Sequence, residues 1–146
     1  GTQFDHVGEK TGEDQVAAAI SRLRRRWAGV DIVEYTTAVD PAASPARYVV
    51  YLEANGSAAP VGLERAATDF DELLCDANPM CVGFRENGLL GRPQLAVVEP
   101  GTFSRLTNTI AEAGLPPSRS QLKTPRRVDH PHHLGLLSNA VIQASA

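Results

Sequence analysis

One lysine near the end of the sequence combines a residue type and a local context that suit phosphate chemistry. Lys123 lies in the segment SQLKTPRR, residues 120–127, whose last five positions include three cations. Because a proline disfavours helical geometry in the residue before it, Pro125 predicts an extended loop around Thr124 that presents Lys123 outside any regular helix. A lysine ammonium on a long stem can stabilise negative charge that develops on a phosphate. The alternative is an ordinary solvated connection.

The sequence DHPHH at residues 129–133 contains potential metal ligands. Histidine and aspartate both bind zinc, but Pro131 and the close spacing make a shared tetrahedral centre difficult without a ligand from elsewhere. A helix start explains Asp129 equally well. We therefore predict no metal site.

Two cysteines, Cys75 and Cys81, are too few for a disulfide framework or a zinc site. We predict that both are reduced and partly buried, and we assign them no chemistry.

The elements that must position Lys123 belong to a single domain, because 146 residues with 42% hydrophobic content suffice for one packed core. No apolar run approaches 18 residues and the first residues lack a basic-then-apolar signal pattern, so we expect neither membrane insertion nor secretion, and a cytoplasmic setting. A net charge of −3 argues against a generic nucleic-acid binder. The basic cluster of Arg22, Arg24, Arg25 and Arg26 would spread around most of a helix circumference and form part of its solvated surface.

Hydrophobic periodicity predicts four helices. The first begins at Thr11 and ends at Gly29, with Val16, Ile20, Leu23 and Trp27 on one face. The second spans residues 63–77, the third spans residues 103–113, and the last starts at Asp129 or His130 and includes Leu134, Leu137 and Val141.

Runs of β-branched and aromatic residues predict the strands. Residues 30–39 and 48–54 are expected to form adjacent antiparallel strands, and residues 80–84 and 95–98 to form two short ones. The predicted fold is α/β of the α+β type: a mixed, largely antiparallel sheet of about four strands with helices packed on it.

The last third of the chain contains, in order, a predicted strand, the sequence EPGTF at residues 99–103, a helix, and then QLKTPR at residues 121–126. This order resembles the end of the auxin-responsive (Gretchen Hagen) family of acyl-acid amido synthetases. These enzymes belong to the adenylate-forming superfamily. The similarity extends through VGEK at residues 7–10, VEYT at 33–36 and YVVY at 48–51, and so covers nearly the whole chain. Leu122 stands where the family usually has an aromatic residue and Arg127 where it often has cysteine, so we expect a bacterial-type relative.

The resemblance implies that residues 1–146 form the mobile C-terminal domain of an ATP-dependent ligase. Such a ligase adenylates a carboxylic acid and transfers the acyl group to an amine, expected here to be an amino acid. The nucleotide and acyl sites would lie in an N-terminal domain that binds ATP and Mg²⁺. Gly88 and Gly91 are better explained by a turn than by a phosphate-binding loop, which agrees with this division. We expect this chain alone to be inactive, and we interpret Gly1 at the first position as a mark of excision, processing or a tag.

The resemblance also implies residue roles. Lys123 matches the lysine that assists adenylation, Gln121 is a candidate for fixing the loop or contacting the nucleotide, and Arg126 is a candidate phosphate contact. For Arg126 a structural salt bridge is the alternative. Lys10 would lie near the hinge between the two domains, although a solvated lysine before a helix explains it as well. The expected partners are the N-terminal domain, the acid and the amine, with no nucleic acid and no membrane.

Two other functions stay open at this point. One is a stand-alone, non-catalytic α/β domain that binds a small molecule or a protein. The other, less favoured, is an anion-binding or nucleic-acid module built on the arginines and Lys123, whose binding would depend steeply on salt.

Overall fold

The computed structural model describes residues 3–27, 29–40, 42–55, 61–76, 79–112 and 123–146; for residues 3–12, 79 and 80 it describes the backbone only. Within these ranges the chain forms five helices and four strands. In chain order they are α1 (Gln3–Arg26), β1 (Ile32–Asp40), β2 (Arg47–Ala54), α2 (Leu63–Asp76), α3 (Pro79–Glu86), β3 (Gln94–Val98), α4 (Thr102–Glu112), α5 (Pro131–Asn139) and β4 (Val141–Ala144).

The four strands form one mixed sheet in the order β1-β2-β3-β4. β1 and β2 are antiparallel, β2 and β3 are parallel, and β3 and β4 are antiparallel. Glu34 on β1 lies opposite Glu53 on β2, and Val50 on β2 lies opposite Leu95 on β3. This arrangement confirms the predicted fold class, a mixed sheet of about four strands with helices packed on it.

Helices cover both faces of the sheet, because alternate residues of the strands are apolar on each side. One face packs against α1 and α2, where Leu23 and Phe70 are fully buried. The other face packs against α4 and α5, where Leu106 and Leu137 are fully buried. The β1 edge of the sheet thus lies between two helical layers, and this edge carries the candidate site.

The helical face predicted for α1 is confirmed, since Val16, Ile20, Leu23 and Trp27 are all buried. The predicted start at Thr11 is wrong, because α1 begins at Gln3. A residue type that favours a helix cap marks a possible start, and a helix can continue through it. No helix among the described residues is long and apolar enough to span a membrane.

Two elements differ from the sequence prediction. Residues 80–84 lie in helix α3 and do not form a strand, and Val141 begins strand β4 and does not continue the last helix. A short apolar run fits either a strand or a buried helix, and Pro79 is well suited to the first position of a helix. Val141 packs against the α4–α5 core while its strand completes the sheet beside β3.

The prediction of two reduced cysteines is also wrong. Cys75, in the last turn of α2, is joined by a disulfide to Cys81 in α3, with the two Cα atoms 5.1 Å apart. This Cα separation suits a disulfide, although two isolated cysteines gave no such signal in the sequence.

Candidate functional site

A cleft of about 470 Å³ lies between the start of α4 and the segment of residues 123–126. Its floor is the β1–β2 edge of the sheet. The described residues that line it come from three parts of the chain: Val33, Glu34 and Glu53 from the sheet, Phe103, Ser104 and Thr107 from α4, and Lys123, Thr124 and Arg126 from the loop. The cleft is therefore partly apolar and carries both signs of charge.

Lys123 is exposed at one wall of this cleft. Residues 123–125 have no helical structure, which confirms the non-helical loop predicted around Thr124. Among the described residues, Lys123 has no hydrogen bond or ion pair, so its ammonium is available to a group that enters the cleft. Its predicted catalytic role is not tested by this geometry and stays a prediction.

The loop is fastened to the free edge of β1. The Thr36 hydroxyl donates to the Pro125 carbonyl at 2.6 Å, and the Thr37 hydroxyl donates to the Arg126 carbonyl at the same distance. The Thr37 amide also donates to the Arg126 carbonyl at 3.0 Å, and the Val128 amide donates to the Thr37 carbonyl at 2.8 Å. Residues 125–128 thus extend the sheet by a short parallel pairing.

Arg126 packs against β1 through three groups. Its guanidinium donates to the Glu34 carboxylate, donates to the Tyr35 carbonyl at 2.7 Å, and lies 4.2 Å from the centroid of the Tyr35 ring. This combination of ion pair, hydrogen bond and cation–π contact braces the loop. The structural salt bridge predicted as the alternative for Arg126 is present, while a phosphate contact stays a prediction.

Burial raises the pKa of the Tyr35 phenol above its ordinary value, and the positive charges of Arg126 and Arg24 oppose this shift. The phenol therefore stays neutral at physiological pH. Tyr35 acts here as an apolar platform for the guanidinium and not as an acid.

Glu53 connects the sheet to the start of α4. One oxygen of its carboxylate accepts from the Phe103 amide at 3.1 Å, an amide in the first turn of the helix that has no partner within the helix. Gly101, in the EPGTF sequence, has a φ of +89°, a conformation that favours glycine and forms the turn into α4. The EPGTF sequence therefore directs Phe103 and Ser104 to the cleft.

The remaining predicted residues lie elsewhere. Gln121 is outside the described residues, and Lys10 lies within α1, where its side chain is not described. The His130 ring accepts from the His132 amide at 3.1 Å and caps α5, so the predicted helix start at this position is confirmed. Among the described residues no group of three potential ligands is arranged to hold a metal ion.

Four residues of the site were not predicted from the sequence: Glu34, Thr36, Thr37 and Glu53. A signal was present, because VEYT and KTPR both belong to the sequences that carried the family resemblance. The structure brings these two sequences into contact, although Thr36 and Pro125 are separated by 89 positions.

Residues 14–132 match the family model described as the GH3 family C-terminal domain, and this match includes the loop and the cleft. The chain belongs to this family.

Two curated relatives support this assignment of the GH3 domain. The chain is 33% identical over 108 residues to jasmonoyl-L-amino acid synthetase JAR4 of Nicotiana attenuata, and the aligned region covers 74% of this chain and 18% of that protein. It is 29% identical over 141 residues to indole-3-acetic acid-amido synthetase GH3.10 of Arabidopsis thaliana, which covers 94% of this chain and 23% of that protein. Both are plant proteins, so the expected bacterial-type relative has no support here.

The fold of the GH3 domain is similar to part of a solved structure, the GH3.15 acyl acid amido synthetase, with a TM-score of 0.79 and 28% identity. The similarity covers 90% of this chain and 24% of that one. The GH3 domain thus spans less than a quarter of the length of each of these three proteins. The resemblance inferred from the sequence is confirmed, and the non-catalytic alternative is not favoured.

Proposed function

We propose that this GH3 domain works as the mobile C-terminal domain of an ATP-dependent ligase that forms an amide from a carboxylic acid and an amino acid. The observation that carries the proposal is the exposed Lys123 ammonium, which has no hydrogen bond or ion pair within the described ranges, on a loop fastened beside a cleft in a chain that matches the GH3 family. An N-terminal domain of the same polypeptide would hold the nucleotide and the acid.

In the first half-reaction a carboxylate oxygen attacks the α-phosphorus of ATP, and the bond from that phosphorus to pyrophosphate breaks. Two anions approach each other, and negative charge moves toward the departing pyrophosphate. The Lys123 ammonium, delivered to the phosphate from the C-terminal domain, stabilises this charge. In the second half-reaction the amine nitrogen attacks the acyl carbon, AMP departs, and the amine loses a proton.

The carboxylates of the cleft do not fit a Mg²⁺ site. Glu34 is paired with Arg126, and Glu53 accepts from the amide of Phe103. A magnesium ion requires near-octahedral oxygen ligands, commonly with several waters and substrate phosphates. We therefore assign the binding of ATP and Mg²⁺ mainly to the N-terminal domain.

The other predicted residues have supporting roles in this proposal. Arg126 braces the loop, and any phosphate contact it makes comes in addition to the ion pair with Glu34. Gln121 precedes the lysine by two positions and would fix the loop or contact the nucleotide. Lys10 would lie on the hinge side of the domain.

An amino acid is the proposed amine because the similar protein JAR4 is a jasmonoyl-L-amino acid synthetase, a name that specifies an L-amino acid as the partner of the acyl group. The test uses the full-length polypeptide with a panel of carboxylic acids, measuring acid-dependent exchange of pyrophosphate into ATP. Amide formation is then measured by mass spectrometry with each amino acid. We expect exchange with at least one acid and an amide with at least one amino acid. Absence of acid-dependent exchange across the panel would contradict the proposed function.

A further inference from the structure

We propose that Thr36 and Thr37 are positioning residues that set the location of Lys123 for adenylation. This inference rests on the proposed function of Lys123 and adds a requirement to it. Neither threonine lines the cleft, so each acts through the loop and not by contact with substrate.

The two hydroxyls hold the loop from opposite sides. Successive side chains of a strand point to opposite faces of a sheet, so Thr36 and Thr37 leave β1 in opposite directions. Their hydroxyls nevertheless donate to consecutive carbonyls, those of Pro125 and Arg126, at 2.6 Å each. The loop backbone is therefore clamped across the edge of β1.

Both threonines are buried although they lie on an edge strand. Thr36 is 0% exposed and Thr37 is 6% exposed. Loss of the Thr36 hydroxyl would leave the Pro125 carbonyl without its donor in a place that water does not readily reach, which is costly. Loss of the Thr37 hydroxyl would leave the Arg126 carbonyl with only the Thr37 amide as donor. We call the two bonds from Thr36 and Thr37 to the Pro125 and Arg126 carbonyls the clamp. It is consequently sensitive to the loss of one oxygen atom.

The clamp reaches Lys123 through two stiff residues. Pro125 has a fixed φ, and it restricts Thr124 to extended geometry. The position of the Pro125 carbonyl thus fixes the direction in which the Lys123 backbone leaves the sheet. Because Lys123 has no side-chain bond among the described residues, the backbone is what locates its ammonium.

The experiment measures the two half-reactions separately in the full-length protein. Thr36→Val keeps the side-chain shape and removes the hydroxyl, and we expect the kcat of pyrophosphate exchange to fall roughly ten- to hundredfold, as misplaced catalytic groups commonly do. The KM for ATP and the attack of amine on preformed acyl adenylate should be unchanged. Thr36→Ser, which keeps the hydroxyl, should restore exchange.

Ser145→Ala is the matched control. Ser145 is buried, its hydroxyl accepts from the Leu95 amide at 2.9 Å, and it lies at the β4 edge, opposite the clamp. This variant should lose stability comparably and keep full exchange activity. Thr37→Val is the second test variant if Thr36→Val fails to fold, because the Thr37 backbone bonds to the loop remain.

A double variant separates positioning from general damage. In a Lys123→Ala background, Thr36→Val should cause no further loss of exchange, since its effect passes through the lysine. Any of three results would overturn the positioning role of the threonines. These are equal losses in both half-reactions for Thr36→Val, an equal loss of exchange in Ser145→Ala, and a full additional loss of exchange in the double variant. Wild-type protein without acid-dependent exchange would instead contradict the proposed function.

Discussion

At the scale of single residues, the Arg126–Glu34 pair is the strongest charged contact of the site. The side chains are 38% and 25% exposed, so solvent weakens the attraction, but the additional bond to the Tyr35 carbonyl orients the guanidinium. We expect a double-mutant cycle of Arg126→Ala and Glu34→Ala, measured by urea unfolding, to give a coupling free energy of about 1 kcal/mol.

The Arg65–Asp69 pair on α2 is the matched control for this cycle. Arg65 is 83% exposed, and the two residues are four positions apart on one helix. Such pairs contribute about 0.3–0.5 kcal/mol. A coupling for Arg126–Glu34 no larger than that for Arg65–Asp69 would show that the loop is not braced by this contact.

His133 makes the stability of α5 depend on pH. Burial lowers the pKa of this imidazole below 6.5, and His130 and His132 lower it further. The unfolded chain therefore binds the proton at higher pH than the folded chain. The contribution of neutral His133 to the free energy of unfolding is fully present above about pH 6.5 and decreases as the pH falls below that value. We expect the free energy of unfolding to drop between about pH 7 and pH 5, with a smaller drop in His133→Gln. Identical drops in the two proteins would contradict this assignment.

At the scale of elements, Glu53 couples β2 to α4. Glu53→Ala removes the acceptor for the Phe103 amide, and we expect a loss of about 1 kcal/mol in the free energy of unfolding. Both variants remove the like-charge repulsion from Glu34 across the ladder, a gain of about 0.2–1 kcal/mol. Glu53→Gln in addition keeps an acceptor oxygen, which accepts more weakly than the carboxylate and so offsets that gain. The glutamine variant should therefore be near neutral in urea unfolding. If it is as unstable as the alanine variant, the carboxylate charge and not the acceptor matters.

The disulfide joins α2 to α3 and closes a short loop, with a sequence separation of 6. A loop of this size stabilises the folded state by about 2 kcal/mol in the chain-entropy view. We expect the free energy of unfolding of the oxidised protein, measured with urea, to fall by this amount when dithiothreitol is added. The number of free thiols found by titration should rise from none to two per chain. Cys75→Ala with Cys81→Ala should be insensitive to the reductant. An unchanged thiol count would contradict the pairing.

The sequence predicted elements well where the hydrophobic pattern was long. The stripe of α2 was identified correctly because this helix buries one continuous face, and β1 and β2 were identified from runs of β-branched and aromatic residues that the sheet buries on both faces. α3 was predicted as a strand because a short apolar run carries no period that separates the two structures. β4 was missed because it has only four residues and Ala140 alone separates it from α5.

The site was only partly predictable for a different reason. Lys123 and Arg126 were found because they lie together in one short segment with a proline between them. The residues that bond to this loop, Glu34, Thr36 and Thr37, are about 90 positions away in the sequence. Their contact with the loop depends on how the chain returns to the β1 edge. Local pattern cannot specify such a contact.

At the scale of the whole molecule, we propose that the chain supplies one half of a divided site. The sheet supports the cleft, β1 fastens the loop, and the loop presents a lysine whose proposed target lies in another domain. The family relatives are more than four times longer than the part they share with this chain, which agrees with such a division.

The proposed role of Lys123 in adenylation can be measured with Lys123→Ala in the full-length protein, assayed for acid-dependent pyrophosphate exchange and, separately, for amine attack on preformed acyl adenylate. Arg127→Ala is the matched control, because it removes a cation from the same loop and the Arg127 side chain does not line the cleft. We expect exchange to fall by about 10²–10³ in Lys123→Ala, with amine attack retained and the Arg127→Ala protein active in both assays. Unchanged exchange in Lys123→Ala would contradict the account.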